Sequence, residues 1–305
     1  MARQSNYRLN FSLASLFLLF LIAQPAQAGW QSFTIINGSL LIDVEIAGHP
    51  ARALLDSGAA LNLISSEFIA KHKLNFGKSQ KLKIQGVFSE ETVQTYSNIP
   101  IKLFSSELEL DNVAAVSLNG PDLLLGAGMF KGRIVQVDYP NSRIRFLKKK
   151  AVNMSKHANV PMKRAKGSRF PAIQVEANGA KVWLILDTGN TGGILLKRSF
   201  ALEKNWMSKS TLVTDQIAHG IVEAGHIEEF QLDSFIIGPY ELDNVVVSVP
   251  GPNQEANVGR HRPEKTTGTR IKSGVQAKGI IGYDVFKHFV ITIDYLAYKV
   301  NFHAP

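Results

Sequence analysis

Two seven-residue stretches decide the fold of this chain: residues 53–59, ALLDSGA, and residues 184–190, LILDTGN. Each is an apolar run that ends in Asp-Ser/Thr-Gly, and their aspartates, Asp56 and Asp187, lie 131 residues apart. A single motif of this kind is compatible with an ordinary turn. Two copies in register within a longer internal repeat indicate instead two aspartates that are brought together across a two-fold axis.

The repeat extends well beyond the two motifs. Several further segments recur in the same order, with nearly the same spacing in both halves. They are ELDNV at 109–113 and 241–245, LLG at 124–126 and IIG at 280–282, Phe130 and Phe286, Asp-Tyr at 138–139 and 294–295, and Phe146 and Phe302. Two copies are too few for a solenoid array. An alternative that stays open is a duplication that only builds the fold and carries no catalytic site.

The first 28 residues have the features of a secretory signal. Arg3 and Arg8 precede an apolar stretch at 11–23, and Ala-Gln-Ala at 26–28 is typical of a cleavage site. The apolar stretch is short for a membrane span. We therefore expect a mature protein that begins near Gly29 and has no stable membrane span, with an uncleaved N-terminal anchor as the alternative.

Composition narrows the class of protein further. The 305 residues include no cysteine, which excludes disulfides, a cysteine nucleophile and a lipid-anchored cysteine. An export signal without cysteine favours secretion across the inner membrane of a bacterium, into the periplasm. The net charge is +9, and much of the excess lies in two stretches, 143–169 and 260–278, that are interpreted as solvated connectors. We expect no nucleic-acid partner, since no aromatic-basic pattern accompanies the charge.

Hydrophobic periodicity predicts an all-β protein with few, short helices. Short alternating or apolar runs are separated by turn signals, and Asn178-Gly179 between two such runs is a strong hairpin signal. The best helical candidates are 66–72 and 198–205. We predict an N-terminal lobe at 29–147, a basic linker at 148–168, and a C-terminal lobe at 169–305 that carries a surface insertion at 250–278.

A pair of adjacent aspartates can hydrolyse a peptide bond without a cofactor. Like charges at contact cannot both ionise, so one carboxylate activates water while the other, protonated, acts as the acid. The hydroxyls of Ser57 and Thr188 can hydrogen-bond across to the opposite loop. Gly58 and Gly189 permit a tight turn and the close approach of the two loops.

On these motifs the chain resembles aspartic peptidases of the pepsin and retropepsin type. Members of that family carry Asp-Thr/Ser-Gly after an apolar strand and, later in each lobe, two apolar residues followed by glycine; residues 279–302 are similar to the end of a pepsin-type lobe. The resemblance implies a two-lobed acid-protease fold, with each lobe a closed β-barrel-like half related to the other by pseudo-two-fold symmetry. It also implies that Asp56 and Asp187 are the catalytic pair. The short lobes are most similar to two fused retropepsin-like halves, as in bacterial members.

The resemblance further implies an extended peptide or protein substrate covered by a hairpin flap. Candidate flap segments are 86–96 and 220–226, with Gly86, Tyr96 and Gly220 as candidate residues. No metal site is expected, because His219 and His226 have no third ligand at a recognisable spacing. The first hypothesis is an aspartic endopeptidase active as a monomer, and the alternative is a peptide-binding protein with weak or no hydrolysis. A homodimer that pairs like halves between chains also stays open.

The residue after each glycine predicts the pH dependence of hydrolysis. The family usually has Ala, Ser or Thr there; Ala59 fits this pattern and Asn190 departs from it. A Ser or Thr side chain could donate a hydrogen bond and lower the pKa of the neighbouring carboxylate, which Ala59 cannot do. We therefore expect a mildly acidic optimum in a pH–rate profile, and a maximum near pH 2 would contradict this expectation.

Overall fold

A computed structural model describes residues 29–85, 90–168, 170–209, 214–219, 224–254 and 273–305. Strands predominate and the helices are short, which confirms the predicted two-lobed all-β fold. The predicted signal segment and most of the predicted insertion at 250–278 lie outside the described residues.

The described strands fall into two series of similar length along the chain. The first series is β1 (Gln31–Ser32), β2 (Thr34–Ile36), β3 (Ser39–Ile46), β4 (His49–Leu55), β5 (Leu63–Ser65), β6 (Gly77–Gln85), β7 (Glu90–Ser97), β8 (Ile99–Leu103), β9 (Ser106–Leu110), β10 (Val113–Val116), β11 (Leu123–Leu125), β12 (Ile134–Asp138) and β13 (Arg143–Leu147). The second series is β14 (Met162–Arg164), β15 (Pro171–Ala177), β16 (Ala180–Leu186), β17 (Ile194–Leu196), β18 (Thr214–His219), β19 (Ala224–Leu232), β20 (Phe235–Ile237), β21 (Tyr240–Leu242), β22 (Val245–Pro250), β23 (Gly279–Ile281), β24 (Val290–Asp294) and β25 (Lys299–His303).

Short helices connect these strands. They are α1 (Ser66–Lys71), α2 (Met154–His157), α3 (Arg198–Glu203), α4 (Trp206–Lys209) and α5 (Tyr283–Phe286), with 3-10 turns at Ala127–Phe130 and Lys149–Ala151. Helices α1 and α3 occupy the two predicted helical segments. Helix α1 begins at Ser65, whose hydroxyl accepts a hydrogen bond from the Phe68 N–H at 3.1 Å, a typical N-cap.

Each half builds a ten-stranded sheet, and the two sheets have the same strand order. The first runs β6-β7-β10-β5-β11-β4-β3-β8-β9, with β2 beside β3. The second runs β18-β19-β22-β17-β23-β16-β15-β20-β21, with β14 beside β15. The internal repeat of the sequence is therefore also a repeat of topology.

Segment 148–168, which was predicted as a basic linker, contributes to the second sheet. It contains α2 and β14, and β14 pairs antiparallel with β15 in the position that β2 holds beside β3. The division of the chain into lobes and linker stays a prediction, although β14 adds a strand of this segment to the second sheet.

A third sheet of five antiparallel strands joins the two halves, in the order β1-β13-β12-β24-β25. At its centre β12 pairs with β24, and Gln136 stands opposite Thr292. These two residues hold equivalent places in the repeat, so the pseudo-two-fold axis passes between them. The Gln136 side-chain amide donates a hydrogen bond to the Thr292 hydroxyl at 2.8 Å across this axis.

The predicted hairpin at Asn178-Gly179 is present between β15 and β16. Both residues have positive φ, 44° and 78°, the backbone that a two-residue hairpin turn requires. Between β3 and β4 the turn is formed by Ala47 and Gly48, which both have positive φ, and His49 and Pro50 are the first residues of β4.

Aromatic side chains join the two halves beneath the sheets. Phe286 of α5 is fully buried, and its ring lies 5.9 Å from that of Tyr139 and 6.3 Å from that of Phe302. One continuous core of buried apolar side chains includes residues of both halves. Burial of this shared core holds the two lobes in a fixed relation.

Truncation of Phe286 tests that shared core. We expect Phe286→Ala to lower the free energy of unfolding by about 3–5 kcal/mol, because it leaves a cavity where the two halves meet. Chemical denaturation measures the change. Leu202→Ala is the control, since Leu202 is 53% exposed and should change stability by less than about 0.5 kcal/mol. Equal effects of the two variants would contradict a core shared between the halves.

Candidate active site

Asp56 and Asp187 each follow the last residue of a buried strand. Strand β4 ends at Leu55 and pairs in parallel with β11, and the Asp56 N–H continues that ladder by donating to the Leu125 carbonyl at 3.0 Å. Strand β16 pairs in the same way with β23, and the Asp187 N–H donates to the Ile281 carbonyl at 3.1 Å. The strand ladders therefore fix the backbone of both aspartates.

The two aspartate loops grip each other through Ser57 and Thr188, both of them buried. The Ser57 N–H donates to the Thr188 hydroxyl at 3.0 Å, and the Thr188 N–H donates to the Ser57 hydroxyl at 2.9 Å. The Ser57 hydroxyl in turn donates to the Leu186 carbonyl at 2.9 Å, and the Thr188 hydroxyl donates to the Leu55 carbonyl at 2.7 Å. These four bonds form a closed symmetric network, which we call the loop grip. Both hydroxyls thus hydrogen-bond to the opposite loop, and their role in supporting catalysis stays a prediction.

Gly58 and Gly189 allow the two carboxyl groups to meet. A Cβ atom placed on Gly58 would lie 2.5 Å from Cγ and Oδ2 of Asp187, and one on Gly189 would lie 2.5 Å from Oδ2 of Asp56. Real Cβ atoms do not approach other atoms so closely, so both positions require glycine. Each glycine of one loop faces the carboxyl group of the other loop.

A second pair of glycines supports the aspartate loops from below. At Gly126 a Cβ atom would lie 2.5 Å from the Leu61 carbonyl oxygen, and at Gly282 it would lie 2.6 Å from the Asn190 side-chain nitrogen. The following residues bind the loops directly: the Ala127 N–H donates to the Ala59 carbonyl at 2.8 Å and the Tyr283 N–H to the Asn190 carbonyl at 2.9 Å. This close contact is the physical reason for the repeated apolar-apolar-glycine motif.

Burial raises the pKa of both carboxyl groups. The pKa of Asp56 is raised well above its ordinary value, because burial, the negative charge of Asp187 and a hydrogen bond between the two carboxyl groups all favour its protonated form. For Asp187, the Gly189 N–H and the hydrogen bond from Asp56 partly offset the effect of burial. The pair therefore favours a state with one shared proton, and it titrates as a unit.

Backbone N–H groups of the aspartate loops stabilise the ionised form of both carboxyl groups. Oδ1 of Asp56 accepts hydrogen bonds from the N–H groups of Gly58 at 2.8 Å and Ala59 at 2.9 Å. Oδ1 of Asp187 accepts one from Gly189 at 2.9 Å, and the backbone N–H groups of Asn190 and Gly58 also lower its pKa. The Asn190 side chain, at the position where the sequence departs from the family pattern, donates instead to the Gly193 carbonyl at 3.2 Å. Asn190 thus stabilises its own loop.

The predicted flap residues are only partly covered by the structure. Gly86 and Gly220 lie outside the described residues. Tyr96 lies in β7 opposite Lys78, at the base of the β6–β7 hairpin, and its ring packs edge-on against Phe76 at 6.4 Å. A flap role for any of the three stays a prediction.

The sequence reasoning missed two tyrosines beneath the loop grip, Tyr139 and Tyr295. They are 6% and 5% exposed, and the nearby negative charge of Asp187 adds to burial in raising the pKa of each hydroxyl. Both follow the repeated Asp138 and Asp294, so the repeated Asp-Tyr pair was the signal that could have identified them.

Within the described ranges, no cluster of three or more His, Asp or Glu side chains is arranged to hold a metal ion. A search of the helices in the same ranges finds none that is both long and apolar enough to cross a membrane.

Comparison with known families is consistent with this geometry. Residues 42–132 match the family described as gag-polyprotein putative aspartyl protease. The match covers less than a third of the chain and includes Asp56, the first half of the loop grip and Gly126. It supports a retropepsin-like aspartic protease domain over these residues. A search of curated proteins found no match to the chain.

The raised pKa of Asp56 predicts how stability depends on pH. A carboxyl group whose pKa is higher in the folded than in the unfolded state adds stability below its ordinary value of 3.8, and this contribution is lost as the pH rises through the folded pKa. The Asp56→Asn variant has no carboxyl group at this position, so it does not lose stability in this way as the pH rises. We expect the Tm of the variant relative to wild type to increase between pH 3 and pH 7, by at least about 2 °C in a thermal unfolding series.

Asp43→Asn is the matched control for this series, because Asp43 is an exposed aspartate on β3. Its Tm should follow that of the wild type across the pH range. A difference between Asp56→Asn and wild type that does not change with pH would show that the two carboxyl groups do not share a proton.

Proposed function

We propose that this protein is an aspartic endopeptidase in which Asp56 and Asp187 activate a water molecule between them. The observation that carries the proposal is the approach of two carboxyl groups across a symmetric loop grip, in which the glycine of each loop faces the carboxyl group of the other. The family match over residues 42–132 supports an aspartic protease-like function.

The geometry supports a general acid–base mechanism. The ionised carboxylate of the pair removes a proton from water, which attacks the peptide carbonyl carbon. The protonated carboxyl group donates its proton to the carbonyl oxygen as the tetrahedral intermediate forms. As this intermediate breaks down, the carboxyl group that took the proton from water donates it to the leaving amine, and the other carboxylate takes a proton back from a hydroxyl of the intermediate, which restores the shared-proton state. Water is the nucleophile, and protein carboxyl groups perform every proton transfer.

The raised pKa of both aspartates is consistent with the mildly acidic optimum expected from Ala59. A pair that keeps its shared proton above the ordinary carboxyl pKa retains the monoprotonated form to higher pH. The Gly58 and Ala59 N–H groups act in the other direction, because they stabilise the ionised form of Asp56. The balance of these effects sets the limits of the active range.

An extended peptide is the substrate that this fold is best suited to bind. Hairpins β6–β7 and β18–β19 stand at equivalent edges of the two large sheets. Strand edges of this kind bind an extended chain through backbone hydrogen bonds, with alternate side chains in pockets. We propose that these hairpins border the substrate.

Location and assembly are proposed from the sequence. The leader-like segment and the absence of cysteine favour secretion across the inner membrane into the periplasm. One chain supplies both aspartates, which favours an active monomer. A homodimer that pairs like halves is the competing arrangement, and the mass in solution distinguishes the two.

Asn190 favours a second candidate function, a peptide-binding protein with weak hydrolysis. The side chain after the second glycine is bonded to its own loop and gives Asp187 no hydrogen bond of its own. The same cleft would then bind extended peptides without efficient turnover.

Digestion of an unfolded protein between pH 3 and pH 8 tests the proposal. We expect the wild-type chain to cleave it, and a pepstatin-type transition-state mimic to inhibit the cleavage. Asp56→Asn and Asp187→Asn should each lower kcat by at least about 1,000-fold, because one carboxyl group cannot act as both acid and base. Asp43→Asn should retain full activity.

Mass spectrometry of the fragments gives the cleavage preference. No cleavage by folded wild-type protein, together with saturable binding of the mimic, would support the peptide-binding alternative. Residual activity in both aspartate variants would contradict the shared pair.

A further inference from the structure

Two aromatic pairs cross between the halves directly beneath the loop grip. Tyr295, at the end of β24, stacks on Phe130 of the first half with ring centroids 5.0 Å apart and an interplanar angle of 28°. Tyr139, at the end of β12, packs on Phe286 of the second half at 5.9 Å and 35°. The four residues hold equivalent places in the repeat, so each half contributes one tyrosine and one phenylalanine.

The two tyrosines differ in the surroundings of their hydroxyl groups. Among the described residues, the Tyr295 hydroxyl is the one buried side-chain polar group without a hydrogen-bond partner. The Ser57 side chain lies close enough to the Tyr295 hydroxyl to oppose the effect of burial on its pKa. The pKa of Tyr139 is not affected by a hydroxyl of the loop grip. It is raised by burial and by the charges of Asp187 and Tyr283.

Packing places Tyr295 below the first aspartate loop. Phe130, on which its ring stacks, ends the 3-10 turn that begins at Ala127, and the Ala127 N–H donates to the Ala59 carbonyl. Tyr295 is therefore held against the element that supports residues 56–59.

The Ser57 hydroxyl can accept one more hydrogen bond. It donates to the Leu186 carbonyl and accepts from the Thr188 N–H, which leaves one lone pair of its oxygen unused. A buried hydroxyl without a partner is unfavourable, and Tyr295 has a proton to donate. The two groups are thus complementary donor and acceptor.

We propose that Tyr295 is a positioning residue for the proposed hydrolysis: its hydroxyl donates to Ser57 Oγ when substrate occupies the cleft, and so holds the Asp56 loop in its reactive geometry. Hydrogen bonds of catalytic groups often reach their final length only in the substrate complex. The proposal rests on the proposed endopeptidase function.

The effect on Asp56 has a definite sign. Ser57 holds the loop in which the Gly58 and Ala59 N–H groups donate to Asp56 Oδ1 and stabilise its ionised form. A looser loop weakens both donations, so the lower pKa of the aspartate pair rises. The acid limb of the pH profile of kcat, which reports the substrate complex, then moves to higher pH.

Tyr295→Phe tests the proposal, with Tyr139→Phe as the matched control at the equivalent place in the repeat. We expect Tyr295→Phe to move the acid limb of the kcat profile upward by about 0.5–1 pH unit and to lower the maximal kcat by about 2–10-fold, the size expected from one hydrogen bond. Tyr139→Phe should leave the acid limb in place. In a Ser57→Ala background, Tyr295→Phe should cause no further shift.

Each other outcome contradicts the proposal. An unchanged acid limb in Tyr295→Phe, an equal shift in Tyr139→Phe, or a shift that persists without the Ser57 hydroxyl would overturn the role of Tyr295. Should Tyr295→Phe not fold, 3-fluorotyrosine at position 295 keeps the ring and strengthens the donor. It should move the acid limb to lower pH, and an unchanged limb would overturn the role.

The two proposals fail in different ways. Wild-type cleavage that is lost in Asp56→Asn but unchanged in Tyr295→Phe overturns the positioning role alone. A folded wild-type chain that cleaves nothing overturns the endopeptidase function and, with it, the role of Tyr295.

Discussion

Two carboxyl groups at contact repel each other once both ionise, and the rest of the structure serves to hold them together. The loop grip between Ser57 and Thr188 supplies the restraint, because its hydrogen bonds fasten each aspartate loop to the strand that precedes the other. Those bonds are buried, so water does not compete for them. Their geometry depends in turn on the two strand ladders that end at Leu55 and Leu186.

Beneath the loop grip, two features determine the separation of the lobes. They are the five-stranded sheet and the two aromatic pairs, Tyr295–Phe130 and Tyr139–Phe286. The antiparallel pairing of β12 with β24 and the burial of Phe130 and Phe286 leave little freedom for one half to slide on the other. The guanidinium groups of Arg143 and Arg145 lie 4.5 and 4.3 Å from the centre of the Trp30 ring, and these contacts help to fasten β1 to β13. The support of the aspartates thus extends to the first described residues.

Much of this arrangement could be predicted from the sequence, because the repeat carries it. The position of the aspartates, the strand-rich character and the Asn178-Gly179 turn all follow from local patterns. Strand β14 could not be recognised, since Met162–Arg164 is short, basic and mostly exposed, and its strand character comes from pairing with β15. The roles of Tyr139 and Tyr295 depend on contacts between distant parts of the chain, which periodicity does not show. The candidate flap residue Tyr96 lies at the base of its hairpin, and its role stays a prediction.

The pseudo-two-fold axis passes between Gln136 and Thr292, which are unlike residues at a point where true symmetry requires like ones. A peptide has a direction, and a truly symmetric cleft would bind it equally well in either orientation. In this chain the two halves carry different residues at equivalent places. These are Gln136 and Thr292 at the axis, and Ala59 and Asn190 beside the aspartates. The two orientations of a peptide bound as we propose would therefore differ in energy, and the protein would determine the direction in which the peptide binds.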